Sequence, residues 1–244
     1  MPEFMPEFMQ GFMPEFTPEE WTAIGLSVQV AITATLASLP LAIFAGFALA
    51  RWSFPGKTLL NGLLHLPLVL PPVVTGYLLL LSFGRQGPVG AFLYDTLGLT
   101  FSFRWTGAAL AAAVMSFPLM LRAIRLSFET IDRRLDNAAG TLGAGPLATF
   151  VTVTLPLAAP GILVGVILCF AKALGEFGAT ITFVSNIPGQ TQTIPSAIYT
   201  YTQVPGGEAS ALRLAAVSVT IALLALIASE VLSQKILKRT SVFQ

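Results

Sequence analysis

Lys172 and Glu176 stand four residues apart inside an apolar run, a spacing that puts both side chains on one helix face. Charges in such a run face a bundle interior or water. Two chemistries fit them. Lys172 can lower the barrier for an anion passing along the segment, while Glu176 neutralises Lys172 or shapes a gate. Equally, the two can form a structural ion pair that fixes helix packing. Hydroxyls follow at Thr180, Thr182 and Ser185. They can act as weak donors on an anion path, although hydroxyls in membrane helices often bond their own backbone. Gly175 and Gly178 flank the carboxylate and allow close packing or a break.

Little else offers covalent or redox chemistry. Cys169 is the single cysteine, which excludes an intrachain disulfide framework and a multi-cysteine metal site. His65 is the single histidine, expected as a packed or interfacial residue. Gly56-Lys57-Thr58 ends like a phosphate-binding loop, but the full pattern needs glycine where Arg51 stands. Neither a nucleophile–base pair nor a carboxylate dyad is evident. The chain is expected to hold no cofactor and no metal, and any energy source must be another polypeptide. A net charge of +1 without a Lys/Arg cluster argues against nucleic acid.

A second informative stretch is polar: Asp136-Asn137-Ala138-Ala139-Gly140-Thr141-Leu142-Gly143, followed by Val153-Thr154-Leu155-Pro156. Asp132 is a suitable N-cap for a short helix through Ala139. Gly143 supplies a helix end or tight turn, and Pro146 suits the first turn of a second helix. Ala138, Ala139 and Gly140 have almost no side chain, so another surface can come close to this backbone. An ordinary amphipathic loop helix would look the same.

The elements that hold these residues are apolar helices. Hydrophobic residues make up 55% of the 244 and charged residues 10%, with a mean hydropathy of +0.78. A soluble domain carries about 25% charged residues. Crossing a bilayer takes roughly 20 apolar helical residues. Five runs qualify: Ala23–Ala50, Leu59–Phe83, Trp105–Leu126, Leu157–Val184 and Ala211–Leu232. His65-Leu66-Pro67 and Pro71-Pro72 predict a bent second span, either gating or merely kinked for packing. Counted from Leu157, Glu176 lies about 28 Å along the fourth span, towards its outer half.

Five spans put three basic regions on one side: Arg51 and Lys57; Arg122, Arg125, Arg133 and Arg134; and Lys235, Lys238 and Arg239. The positive-inside rule then sets the N-terminus outside and the C-terminus in the cytoplasm, with the 137–156 stretch cytoplasmic. Trp21, Trp52 and Trp105 fit an aromatic belt. The polar 186–207 loop falls outside, with a short helix over Ile194–Thr202. Residues 1–20, which begin with repeats of Met-Pro-Glu-Phe, read as a disordered or artefactual leader rather than a signal peptide. Residues 21–240 then form one transmembrane domain, with the insert at about 130–156.

The insert resembles the motif of binding-protein-dependent ABC importer permeases: Glu-Ala-Ala, three residues, Gly, nine residues, Ile-x-Leu-Pro. Here Asn137-Ala138-Ala139, Gly143 and Val153-Thr154-Leu155-Pro156 keep both spacings. Asn137 replaces the acid and Val153 the isoleucine. The runs His65–Val74, Ala113–Leu119, Leu174–Gly189 and Thr193–Ala197 resemble molybdate importer permeases, and sulfate permeases share part of them. The resemblance implies an all-α integral membrane protein with the type I ABC importer permease fold: about five core transmembrane helices and a cytoplasmic coupling helix pair. Asn137, Ala138, Ala139, Gly143, Val153, Leu155 and Pro156 would couple to the ATPase. Lys172, Glu176, Thr180, Thr182 and Ser185 are the pathway candidates. The implied partners are a second permease copy, two cytoplasmic ATP-binding subunits and a periplasmic molybdate-binding protein, in a bacterial inner membrane. A sulfate, thiosulfate or tungstate permease is the near alternative, and an integral membrane enzyme the distant one.

Overall fold

The computed structural model describes residues 16–240, and every regular element among them is helical. The order is α1 (Pro18–Arg51), α2 (Lys57–Val69), α3 (Pro72–Phe83), α4 (Pro88–Leu97), α5 (Trp105–Thr130), α6 (Arg133–Thr141), α7 (Pro146–Thr149), α8 (Leu155–Leu174), α9 (Gly178–Val184), α10 (Ile194–Thr202) and α11 (Glu208–Thr240). A π-helical turn, Phe150–Thr154, joins α7 to α8. The first fifteen residues of the expected leader, and the side chains of Lys235, Lys238 and Arg239, lie outside the described residues.

Four stretches are long and apolar enough to cross a membrane: Pro18–Arg51, Trp105–Thr130, Pro146–Leu174 and Glu208–Ala228. In place of a straight second span the chain forms two helices, α2 and α3, bent by 114° from one to the next, the geometry of a broken span or a re-entrant loop. The cause is local: Leu70 and Pro71 each precede a proline, whose ring disfavours the helical conformation of the residue before it, and both are extended (ψ 142° and 134°).

The fourth span is also interrupted. Of the two outcomes that Gly175 and Gly178 allow, close packing or a break, the structure takes the break: α8 stops at Leu174 and α9 restarts at Gly178. Gly175 caps the first helix, and the Glu176 carboxylate accepts a hydrogen bond from the Ala179 amide at 3.1 Å. A carboxylate that satisfies a first-turn amide holds a helix start in place.

α1, α5 and α8 pack most extensively on one another. Their contact faces are built of small residues. Ala31, Ala34 and Ala42 on α1, Ala108, Ala111 and Ala112 on α5 and Ala158 on α8 are fully or almost fully buried. Between membrane helices, close backbone approach replaces the hydrophobic drive available in water. A Cβ on Gly161 would overlap Ser127. One on Gly76 would sit 2.5 Å from the Ala179 carbonyl oxygen, so α3 and α9 touch backbone to backbone.

The start of α1 is fixed by a capping box, with Glu20 accepting from the Thr17 amide and Thr17 Oγ1 from the Glu20 amide. Glu20 also takes a hydrogen bond from Arg213 Nη2 at 2.7 Å, tying α1 to α11. At the same end of α1, Ser27 Oγ accepts from the Ile194 amide at 2.6 Å and seats α10. Large apolar side chains cover the outside, among them Leu36, Leu41 and Phe44 on α1 and Leu223, Leu224 and Ile227 on α11. None of the residues of α2 is buried. Such a surface suits lipid or an apolar partner rather than water.

Candidate functional site

The insert between α5 and α8 forms as its turn chemistry dictates. Asp132 caps α6, its carboxylate accepting from the Arg134 amide at 2.9 Å. The helix closes with a Schellman motif. The Ala144 amide donates to the Ala139 carbonyl and the Gly143 amide to the Gly140 carbonyl, both at 3.0 Å, with Gly143 at φ +88°. Pro146 then opens α7. Asn137 and Ala138 are exposed, Ala139 is half-buried, and nothing lies within 4 Å of a Cβ built on Gly140 or Gly143.

The second half of the motif lies at the base of the insert. Val153 belongs to the π-helical turn, and Leu155 and Pro156 begin α8. Leu155 and Pro156 line a cavity of about 510 Å³ with Ile43, Ile162 and Val166. Asp136 joins the two halves. Its Oδ1 accepts from Thr154 Oγ1 at 2.9 Å, and its Oδ2 lies 3.6 Å from Arg51 Nη2. Arg51 also donates to the Ile131 carbonyl at 3.1 Å, and Arg133 donates to the Arg51 carbonyl at 3.3 Å. The last residue of α1 thus holds both sides of the insert's first helix.

Sequence reasoning missed Asp136, Arg51 and Thr154 in this role. It also missed three leucines. Leu142 is 89% exposed and Leu147 77%, with Leu135 at 46%. Apolar residues on a short polar insert were the available signal.

Lys172 and Glu176 do meet. Lys172 Nζ donates to Glu176 Oε2 at 2.7 Å, and Glu176 Oε1 serves the Ala179 amide. The Glu176 side chain is 2% exposed and that of Lys172 34%. Thr182 Oγ1 donates to the Gly178 carbonyl at 2.8 Å, so that hydroxyl serves its own helix. Thr180 is buried, whereas Ser185 is exposed with φ +65°. His65 Nδ1 lies 2.8 Å from the Asn61 carbonyl, the use of a packed histidine. Gly56, at φ +84°, merely starts α2, and its setting is a short interhelical connection.

One outcome distinguishes how this pair is held. Lys172→Met is expected to destabilise the chain about 2 kcal/mol more than Glu176→Gln. Methionine leaves a buried carboxylate without its cation, whereas glutamine keeps an acceptor for the Ala179 amide. Thermal unfolding in detergent, read by a thiol-reactive dye on buried Cys169, measures the order. The reverse order would rule out a structural pair.

An all-helical, multi-pass chain with a projecting insert of small and exposed apolar residues defines a membrane transport component that works through another subunit. The chain belongs to the binding-protein-dependent transport system inner membrane component family, whose model matches residues 38–239. It is 60% identical over 215 residues to the molybdenum transport system permease protein ModB of Escherichia coli (strain K12), covering 88% of this chain and 94% of that one. The Haemophilus influenzae ModB is 55% identical over 220 residues, covering 90% and 96%. A bacterial ABC transporter involved in the import of the polysaccharide alginate superposes with a TM-score of 0.69 at 16% identity, covering 96% of this chain and 85% of that one. The fold is therefore that of a type I ABC importer permease, as the motif spacing implied. The protein is a transport subunit and not an enzyme.

Proposed function

We propose that this chain is the membrane-spanning permease subunit of an ATP-driven molybdate importer. The observation that carries the reading is the 60% identity to the Escherichia coli ModB along nearly the whole of both chains. The insert supplies the mechanism. A separate ATPase subunit docks on Ala138, Ala139, Gly143 and the leucines around them, and its closure on ATP carries α6 with it. Asn137 brings no charge to that contact, so shape and apolar area dominate it. Two such subunits serve two permease copies, with the exposed leucines of α2 offered to the second copy or to lipid. A periplasmic binding protein delivers the anion at the opposite end, near α10.

The orientation follows from charge. Arg51, Arg125 and Arg133 gather at the insert end, where Arg125 bridges to Asn61 and Glu129. That end is cytoplasmic and the N-terminus lies outside. Lys172 and Glu176 fix the break between α8 and α9 instead of binding the anion strongly. Weak binding along the path suits release. The binding protein makes most of the choice among oxyanions.

The test is uptake of radiolabelled molybdate by an Escherichia coli strain lacking its own ModB and carrying this chain. Uptake should return, should need ATP, and should resist a large excess of sulfate. Equal competition by sulfate would make it a sulfate permease, and no uptake of either anion would remove the reading.

A further inference from the structure

We propose that Asp136 is the positioning residue through which the insert moves the membrane helices. This rests on the reading that an ATPase docks on the insert. Four observations support it. Asp136 lies on α6, beside the docking residues, yet its carboxylate is engaged by Thr154 and Arg51 of its own chain. One oxygen holds Thr154, in the turn that begins α8's membrane run, and the other faces Arg51, the last residue of α1. Arg51 is 9% exposed in its side chain and reaches across to the Ile131 carbonyl, so it is a fixed anchor.

The second observation is the turn itself. Phe150–Thr154 is π-helical, a rare geometry found frequently at functional sites. The third is the packing beneath it: Phe150 stacks edge-on against Phe47 of α1 at 4.9 Å, and Phe47 meets Phe128 of α5 at 5.5 Å. The cluster ties the turn to α1 and α5, a mechanical link between the insert and both helices.

The fourth is slack in the latch. Arg51 and Asp136 are 3.6 Å apart through one nitrogen, and Arg51 Nε is buried with no hydrogen-bond partner among the described residues. A guanidinium and a carboxylate prefer two parallel bonds. A closer approach of α6 to Arg51 would tighten this contact into a hydrogen-bonded ion pair. On this reading docking tightens the contact, and α1 and α8 move with it.

The experiment uses the whole transporter, permease with its ATPase and binding protein, in proteoliposomes. Asp136→Asn keeps the shape and the bond from Thr154 but removes the charge facing Arg51. The ATPase should co-purify with the variant as with the parent, while molybdate taken up per ATP hydrolysed falls about tenfold. Arg51→Gln should reproduce that loss, and Asp136→Glu should restore most of the parent ratio. Thr154→Val breaks only the other arm and carries the test should Asp136→Asn fail to fold. Its loss is expected to be about threefold. An unchanged ratio in Arg51→Gln or Thr154→Val overturns the proposal. So does loss of ATPase co-purification in Asp136→Asn, which would make Asp136 a partner contact. A parent permease that retains no ATPase refutes the docking reading instead, and the two failures are distinct.

Discussion

Leu142→Glu should abolish retention of the ATPase subunit by the permease while leaving the permease's own unfolding midpoint unchanged. Leu142 follows α6, is 89% exposed and has Leu147 and Leu135 for company. An exposed leucine contributes little to the fold that displays it. Buried against a partner, one leucine contributes about 1.5–3 kcal/mol. A glutamate there loses that and adds the desolvation of an unpaired carboxylate, at least a further 1–3 kcal/mol. The sum is about 2.5–6 kcal/mol, a loss of roughly seventyfold or more in affinity. Interface energy concentrates in a few such anchors. Co-purification measures the loss, and dye reaction at buried Cys169 on heating measures the midpoint. Retained ATPase would show that Leu142 is not an anchor. A lowered midpoint would show that Leu142 serves the fold.

The second large effect is on stability. Arg213→Leu is expected to cost about 3–5 kcal/mol. Glu20 is fully buried in its side chain and faces Arg213 at 2.7 Å, with its other oxygen committed to the Thr17 amide. Removing the cation leaves a buried carboxylate that must protonate or draw in water. The double variant Glu20→Leu with Arg213→Leu should be milder than Arg213→Leu alone, because it removes both charges together. Comparing their unfolding midpoints checks this. A double variant worse than the single would mean that the pair acts through more than mutual neutralisation.

Local features were legible without the structure. The cap at Asp132, the turn at Gly143, the helix start at Pro146 and the helix over Ile194–Thr202 all follow from residue types within a few positions of one another. Turn and cap preferences act over such distances, so reading them needs no tertiary context. Hydropathy located four membrane-crossing helices and the bent α2–α3 pair for the same reason. The bend of that pair was legible in Pro71-Pro72, whereas Gly175 and Gly178 left close packing and a break equally open. At the second break the interruption is set by a side chain, Glu176, bonding a backbone amide.

The insert divides in the same way. Its spacing named the coupling residues, yet the residue that ties them to the bundle, Asp136, was read only as part of a polar stretch. Its two partners, Thr154 and Arg51, lie 18 and 85 residues away in the chain. The sequence by itself determined a polytopic helical protein, its spans and its insert, since hydropathy and turn chemistry are short-range. Only the tertiary structure decided which charges face each other. Glu20 and Arg213, 193 residues apart, become one buried pair because the N-terminal ends of α1 and α11 meet. A charge in an apolar chain has a function only once its partner is known, and that partner is chosen by packing.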